Sequence, residues 1–498
     1  MNTLVLTLLL CLAVGNPAVS GTEPGFRTAI TEKGFDYVRS VGIPMLEKQL
    51  SGMSISDQKG KASSPIGKID YTVSSIKGGT MSIPKSSITL ASSSGITISA
   101  SDASLAVKAD WHYRMESWPH VSDHGSCDIS VSSVSLTFNV VLGKDSSGHA
   151  TVSAGSCHAD IGHMDVKFHG GASWLYNLFS GSIASSLKGS LASQACSQGK
   201  DSINKQANKA VETLPVTVNL DKSALINYAL IASPAYTSSY LETQHKGEFF
   251  LRAAPTAEAP LTPNALPAIS KLDNMMYVWL TEYMALTAGY VYFKSNTLHN
   301  LITPKMVPGS SPFSLNTTAF KSMIPALYSK YPNQAMTLFL NNTAPMTVKM
   351  TSGLIVGSIP ATVQVNALSS ANVSTEAFVL QADVHFNATI GVKEAGGKTL
   401  VVGEAYYMYT DLALHSSAIG NFSIAGLEEG MNALALIGII PFLNKQAAAG
   451  LPLPVVDGVQ FTSPVVQLGE GYIVVATDFD YKPSLGVASD RREAHNVV

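Results

Sequence analysis

The chain has 498 residues, of which 46% are hydrophobic and only 13% charged, with a formal net charge of −3. That length and apolar content call for two or more domains built around a large core or an apolar cavity. From Gly21 to Phe250 the 19 Lys and Arg balance 19 Asp and Glu, and the remainder holds 13 against 16, so no basic stripe is present to displace counterions from nucleic acid.

The N-terminus reads MNTLVLTLLLCLAVGNPAVSG, with an apolar core from Leu4 to Val14 followed by Ala18, Val19 and Ser20 in a small-x-small arrangement. Residues 1–20 are therefore expected to be a secretory signal peptide, although its n-region carries no Lys or Arg. No other run approaches the ~18 apolar residues that span a bilayer. The nearest, Ala433 to Leu443, is interrupted by Gly438 and Pro441. The mature protein is expected to be secreted and extracellular. Losing Cys11 with the leader leaves Cys127, Cys157 and Cys196, an odd count that implies one bridge and one spare thiol, and spacing does not choose the pair.

Next comes the helix-like ITEKGFDYVRSVGIPMLEKQL, where Phe35, Val38, Leu46 and Leu50 share an apolar stripe, while Gly42 and Pro44 argue for a kink or an early stop. Alternating runs follow: Ile88 and Leu90; Ile96, Ile98 and Ala100; then Leu105, Val107, Ala109 and Trp111. The stretch ADWHYRMESWPH, Ala109 to His120, is an unusual hairpin tip, because aromatic and cationic residues stand where Gly, Asn, Asp and Pro are usual. Beyond it the alternation changes parity near Ser132 and Ser133, the mark of a β-bulge. After the turn KDSSG a return strand runs to about Phe168, and a long helix opens at WLYNLF, with Leu175, Phe179, Ile183, Leu187 and Leu191 stepping by four.

Pro255 to Pro267 has four prolines in thirteen residues and is the best linker candidate. The second half then repeats the scheme: a helix at TEYMALTAGYVYF, a strand carrying Leu380, Ala382, Val384, Phe386, Ala388 and Ile390, and a helix from Gly426 to Ala449. The expected organisation is a signal peptide (1–20), an N-terminal domain (21–250), a Pro-rich linker (251–270), a C-terminal domain (271–483) and a polar tail (484–498). All five glycosylation sequons, Asn316, Asn341, Asn372, Asn387 and Asn421, lie in the second half, which leaves the first half a sugar-free face.

Enzyme motifs are missing: there is no GxSxG, GxGxxG, P-loop or HExxH. His112, His120 and His124 cluster without a third clear ligand nearby and read as a surface group, not a metal site; His158, His163 and His169 read as sheet residues. No enzyme, no metal and no cofactor is expected.

The segment SCHADIGHMDVKFHGGASWLYNLFSGSIASSLKGSLASQAC with VETLPVTVNLD, together with MMYVWLTEYMALTAGYVYF, QAAAGLPLPVVDGVQF and ATDFDYK, resembles the family of bactericidal/permeability-increasing and lipopolysaccharide-binding proteins, relatives of phospholipid and cholesteryl ester transfer proteins. The likeness runs from about Phe26 to Lys482. It implies an α+β fold: an elongated boomerang of two twisted antiparallel β-barrels with long helices, joined by a central sheet in a pseudo-two-fold repeat. It also implies a disulfide between Cys157 and Cys196, with Cys127 left free.

By the same resemblance the tip of the N-terminal barrel meets lipopolysaccharide, another anionic lipid or a bacterial membrane surface through Lys59, Lys61 and Lys68 on one hairpin and Trp111, His112, Tyr113, Arg114 and Trp118 on the next. Phospholipid is the expected ligand of the apolar pockets, whose candidates are Leu175, Leu178, Phe179 and Ile183 in the first half and Tyr283, Leu286 and Tyr290 in the second. The neutral charge of the first half departs from the strongly cationic antibacterial pattern, since Asp70, Asp110, Glu116 and Asp123 stand at the tip. The expected function is lipid binding in innate immunity; the alternative is a phospholipid carrier or transfer protein without antibacterial activity. Histidines at such a tip strengthen attachment to anionic lipid in mild acid.

Overall fold

The computed structural model of the protein describes residues 23–482 except 52–53, 65–66, 93–94, 171–179, 209–210, 212–213, 298, 308–313, 397, 435–439 and 454–458. The expected signal peptide and polar tail lie outside the described residues.

A six-stranded sheet stands at the centre, in the order Ala235–Tyr236, Tyr240–His245, Phe26–Thr31, Met276–Thr281, Tyr472–Tyr481 and Val459–Gly469. The first three strands come from the first half and the others from the second. Phe26–Thr31 and Met276–Thr281 are antiparallel neighbours in which Phe26 faces Leu280 and Ile30 faces Met276. A shift of 250 residues carries one strand onto the other and one of these pairings onto the other, so the repeat is a pseudo-two-fold written into the ladder. Thr31 and Thr281 each end their strand at the N-cap position of a helix, Glu32–Leu50 or Glu282–Lys294, with a Glu in the first turn against the positive helix end; Thr31 Oγ1 accepts from the Gly34 amide, whereas Thr281 Oγ1 donates to the Gly25 carbonyl. Pro44 does not stop the first of these helices, which continues to Leu50. The buried faces of Phe35 and Val38, packed on the central core, outweigh the one backbone bond that a proline removes.

On one side of this centre is an antiparallel sheet whose long strands are Gly67–Ser82, Gly95–Met115, Ser122–Lys144 and Ala150–His169, with Gln58–Ser64 paired to the first. The alternating runs either side of Ala100 to Leu105 belong to a single strand, because Asp102 (φ 56°) and Ser133 (φ 54°) bulge together and bend the neighbouring strands at one level. The helix Ser180–Ser202 packs along this sheet, burying Ala184 and Leu187. The bridge Cys157–Cys196, with Cα atoms 5.7 Å apart, ties it to the edge strand.

That edge is finished by helix side chains. Asn204 Oδ1 accepts from the Ala154 amide at 2.8 Å and Asn208 Oδ1 from the Val152 amide at 2.9 Å, giving unpaired strand N–H groups a partner. The second half has the same device. There Asn444 and Asn432 accept from the Ala405 and Thr410 amides on the strand Lys398–Ser417. They project from Ile440–Ala447 and Ala425–Leu434, which occupy the stretch expected as one helix from Gly426 to Ala449, the second starting one residue earlier; residues 435–439 between them are outside the described residues. The other long strands of the second sheet are Ala335–Asn342, Ile355–Leu368 and Ser374–Ala395.

The Pro-rich segment has no helix or strand, as its composition requires, and it is tied down. The Ala259 amide donates to Glu248 Oε1 at 2.9 Å, and Arg27 Nη2 donates to the Pro267 carbonyl at 2.9 Å while its guanidinium lies 4.1 Å from the Trp279 ring centroid. His245, half-buried, has Nδ1 against the Tyr228 carbonyl (2.8 Å) and Nε2 against Thr243 Oγ1 (2.7 Å), and desolvation holds its pKa down to about 4.

Candidate functional site

At the tip of the first sheet, strand alternation sorts the residues of ADWHYRMESWPH. Val107, Ala109, Trp111 and Tyr113 point inward, while His112 and Arg114 point to solvent. Trp111 and Tyr113, expected at the docking surface, are only 4% and 5% exposed, and the expectation is corrected accordingly. Trp111 Nε1 donates to the Ser126 carbonyl at 2.9 Å and reaches the His169 carbonyl at 3.2 Å, and its ring meets Phe168 edge to face at 5.5 Å. The room for this ring comes from its cross-strand partner Gly125, where a Cβ atom would stand 2.9 Å from Trp111 Nε1 and 2.2 Å from the His169 carbonyl. Trp118 is the opposite case. It lies in the turn between strands, followed by a cis peptide to Pro119, and is 86% exposed, with Val121 exposed nearby.

The outward residues line up in register across four strands. One row is Lys59, Thr72, His112 and His124; the next is Lys61, Asp70, Arg114 and Ser122. Lys68 is opposite Ser63, and its carbonyl accepts from the Glu116 amide at 3.0 Å. The two hairpins therefore present their cations on one surface. Lys61, however, is engaged within the protein, 2.5 Å from Glu116 Oε1 and 3.4 Å from Asp70 Oδ1. Its bond to Glu116, then that to Asp70, raises its pKa. Lys59, Lys68 and Arg114 are exposed and form no ion pair with another described residue. The acidic clamp on Lys61 and the exposed Val121 were not read from the sequence, since the first depends on which strands lie side by side.

Of the pocket candidates, Leu175, Leu178 and Phe179 lie outside the described residues, and Ile183 falls in the helix Ser180–Ser202, where its side chain is not described. Tyr283, Leu286 and Tyr290 share the helix Glu282–Lys294. Tyr283 is buried, and burial, with a hydrogen bond to Glu248, pushes its hydroxyl pKa up, so it has a polar partner as well as an apolar setting. Leu286 packs on the central core, and Tyr290 carries Lys294 Nζ 5.6 Å above its ring.

Cys157 and Cys196 are bridged, and Cys127 is free, 1% exposed, with its thiol pushed up to about 12, first by burial and then by Asp128 and Asp110. Among the described residues no helix is long and apolar enough to cross a membrane, and no group of three or more His, Cys, Asp or Glu is placed to hold a metal. Asn372 and Asn421 are exposed, while Asn316, Asn341 and Asn387 are half-buried.

Family models describe both halves. The model of the LBP / BPI / CETP family N-terminal domain matches residues 34–204, and that of the C-terminal domain matches residues 218–481. The chain is 28% identical over 482 residues to the bactericidal permeability-increasing protein of Sebastes schlegelii, covering 96% of this chain and 100% of the relative. It is 29% identical over 479 residues to the lipopolysaccharide-binding protein of Homo sapiens, covering 95% and 97%. The crystal structure of a lipopolysaccharide binding protein superposes with a TM-score of 0.64 at 25% identity, over 93% of this chain and 100% of that one.

Proposed function

The chain belongs to the LBP / BPI / CETP family, and from that premise we propose that it is a secreted lipid-binding protein of innate immunity. It binds lipopolysaccharide or another anionic bacterial lipid through the tip of the first sheet and holds phospholipid in apolar sites beneath its helices. The carrying observation is the tip itself: Trp118 stands 86% exposed in the turn that closes the hairpin carrying Arg114, and Lys59 and Lys68 are exposed on the adjoining hairpin. An indole at a headgroup boundary supplies amphipathic contact, cations select phosphate, and burial of acyl chains at ~0.8 kcal/mol per methylene supplies most of the affinity. No step of this reading calls for catalysis.

A second reading, a phospholipid carrier without antibacterial action, is favoured by one observation. Asp70 and Glu116 occupy Lys61, which lowers the field that an anionic surface meets. Protein secreted from a eukaryotic host, washed and subjected to organic extraction, tests the shared part of both readings. Release of phospholipid supports a carrier site; its absence from the extract, with no uptake of added phospholipid, contradicts both. Titration with lipopolysaccharide then separates them, because saturable binding at physiological salt supports the immune reading and its absence the carrier.

A further inference from the structure

Among the described residues, the largest group of exposed aromatic rings is remote in sequence from the tip. Tyr406, Tyr407 and Tyr409 in the strand Lys398–Ser417 are 49%, 49% and 39% exposed. Bare tyrosines on the outer face of a sheet are unusual unless something covers them. Their placement has a local cause. The register between Ser374–Ala395 and Lys398–Ser417 shifts where Asn387 faces Tyr407 and Ala388 faces Ala405, so Tyr406 is the extra residue of a bulge and leaves the inward alternation of Met408, Thr410 and Leu412. Tyr409 faces His385, with ring centroids 4.6 Å apart and planes at 16°, and lies 5.9 Å from Tyr407.

Asn387 stands among these rings, directly across the strands from Tyr407, and it opens the sequon Asn387-Ala388-Thr389. We propose that an N-linked glycan at Asn387 folds its first N-acetylglucosamine onto the Tyr407 ring, so that the tyrosine surface is a platform for the protein's own sugar. Directly opposed residues have Cβ atoms about 5 Å apart, within reach of the first pyranose of an asparagine-linked chain. The C–H face of that sugar is apolar and slightly positive, complementary to the negative face of an aromatic ring. Charge favours this occupant over a lipid surface, because Asp383, Asp411 and Glu404 stand on the same face and His385 is already held 3.1 Å from Asp411.

The test uses the full chain secreted from a glycosylating host. Glycopeptide mass spectrometry measures occupancy of Asn387, and hydroxyl-radical footprinting measures oxidation of Tyr407 in the intact protein, after trimming to a single N-acetylglucosamine, and in Asn387→Gln and Thr389→Ala, which remove the sequon by different residues. The expected result is an occupied Asn387, with Tyr407 oxidising about twofold faster in both variants, as one ring face is uncovered, and still protected after trimming. An unoccupied Asn387, equal oxidation with and without sugar, or protection lost on trimming each overturns the proposal. Protection that persists in both variants and falls on dilution also overturns it, and assigns the face to a second copy of the chain.

Discussion

Trp111 and Trp118 belong to one hairpin and stand at opposite extremes of exposure, 4% and 86%. The first is a core residue of the tip and the second its outermost surface. Trp111→Ala is expected to cost roughly 3–5 kcal/mol of stability, the range for a large aromatic removed from a core, whereas Trp118→Ala should leave stability within about 0.5 kcal/mol. Chemical denaturation of both variants checks this, and equal costs would remove the distinction between the two positions.

Lys61 is withheld from the tip surface by Glu116 and Asp70. Glu116→Gln with Asp70→Asn should release it and remove two negative charges, strengthening binding to anionic vesicles by about fivefold per unit of charge at low salt. Lys61→Ala alone should change binding by much less than Arg114→Ala. Vesicle co-sedimentation at two salt concentrations measures both, and the gain should shrink as salt rises.

How far the sequence reads the structure is plain from these residues. Period-two alternation already put 107, 109, 111 and 113 on one face, so the burial of Trp111 and Tyr113 was legible, but the aromatic composition of the loop pointed the other way. The bulge at Ser133 was visible as a parity change, and its partner Asp102 was concealed in the gap between two runs that proved to be one strand. The clamp on Lys61 and the pairing of Asn387 with Tyr407 depend on which strand lies beside which, and no local pattern carries that information.

His245 is half-buried with both ring nitrogens hydrogen-bonded, and desolvation lowers its pKa to about 4. Between that value and the ordinary ~6.5 the unfolded chain takes a proton that the folded chain refuses, so stability falls as pH drops through this window. The full loss from this group is on the order of 3 kcal/mol. His245→Gln should flatten the slope between pH 6.5 and 4 in urea-denaturation series, although it lowers stability at pH 7. An unchanged slope contradicts the assignment.

The Cys157–Cys196 bridge closes a loop with a sequence separation of 39. Replacing both with Ser should destabilise the protein by roughly 4 kcal/mol on the chain-entropy model. Cys127, buried with its thiol pushed up to about 12, should resist maleimide in the native protein and react once denaturant is added. Mass spectrometry of labelled peptides reads both outcomes, and rapid native labelling of Cys127 would show that the tip core opens.

The most direct measurement of the docking tip compares the Trp118→Ala, Arg114→Ala double variant with the unaltered protein on three surfaces: lipopolysaccharide, anionic vesicles and neutral phosphatidylcholine vesicles. Both side chains are exposed, so the fold should persist, and thermal stability measured alongside verifies it. The account predicts a loss of about tenfold or more on lipopolysaccharide and anionic vesicles, where the indole anchor and one phosphate-selecting cation are both removed, and a smaller loss on neutral vesicles. Unchanged binding on all three surfaces, by a variant as stable as the unaltered protein, contradicts it.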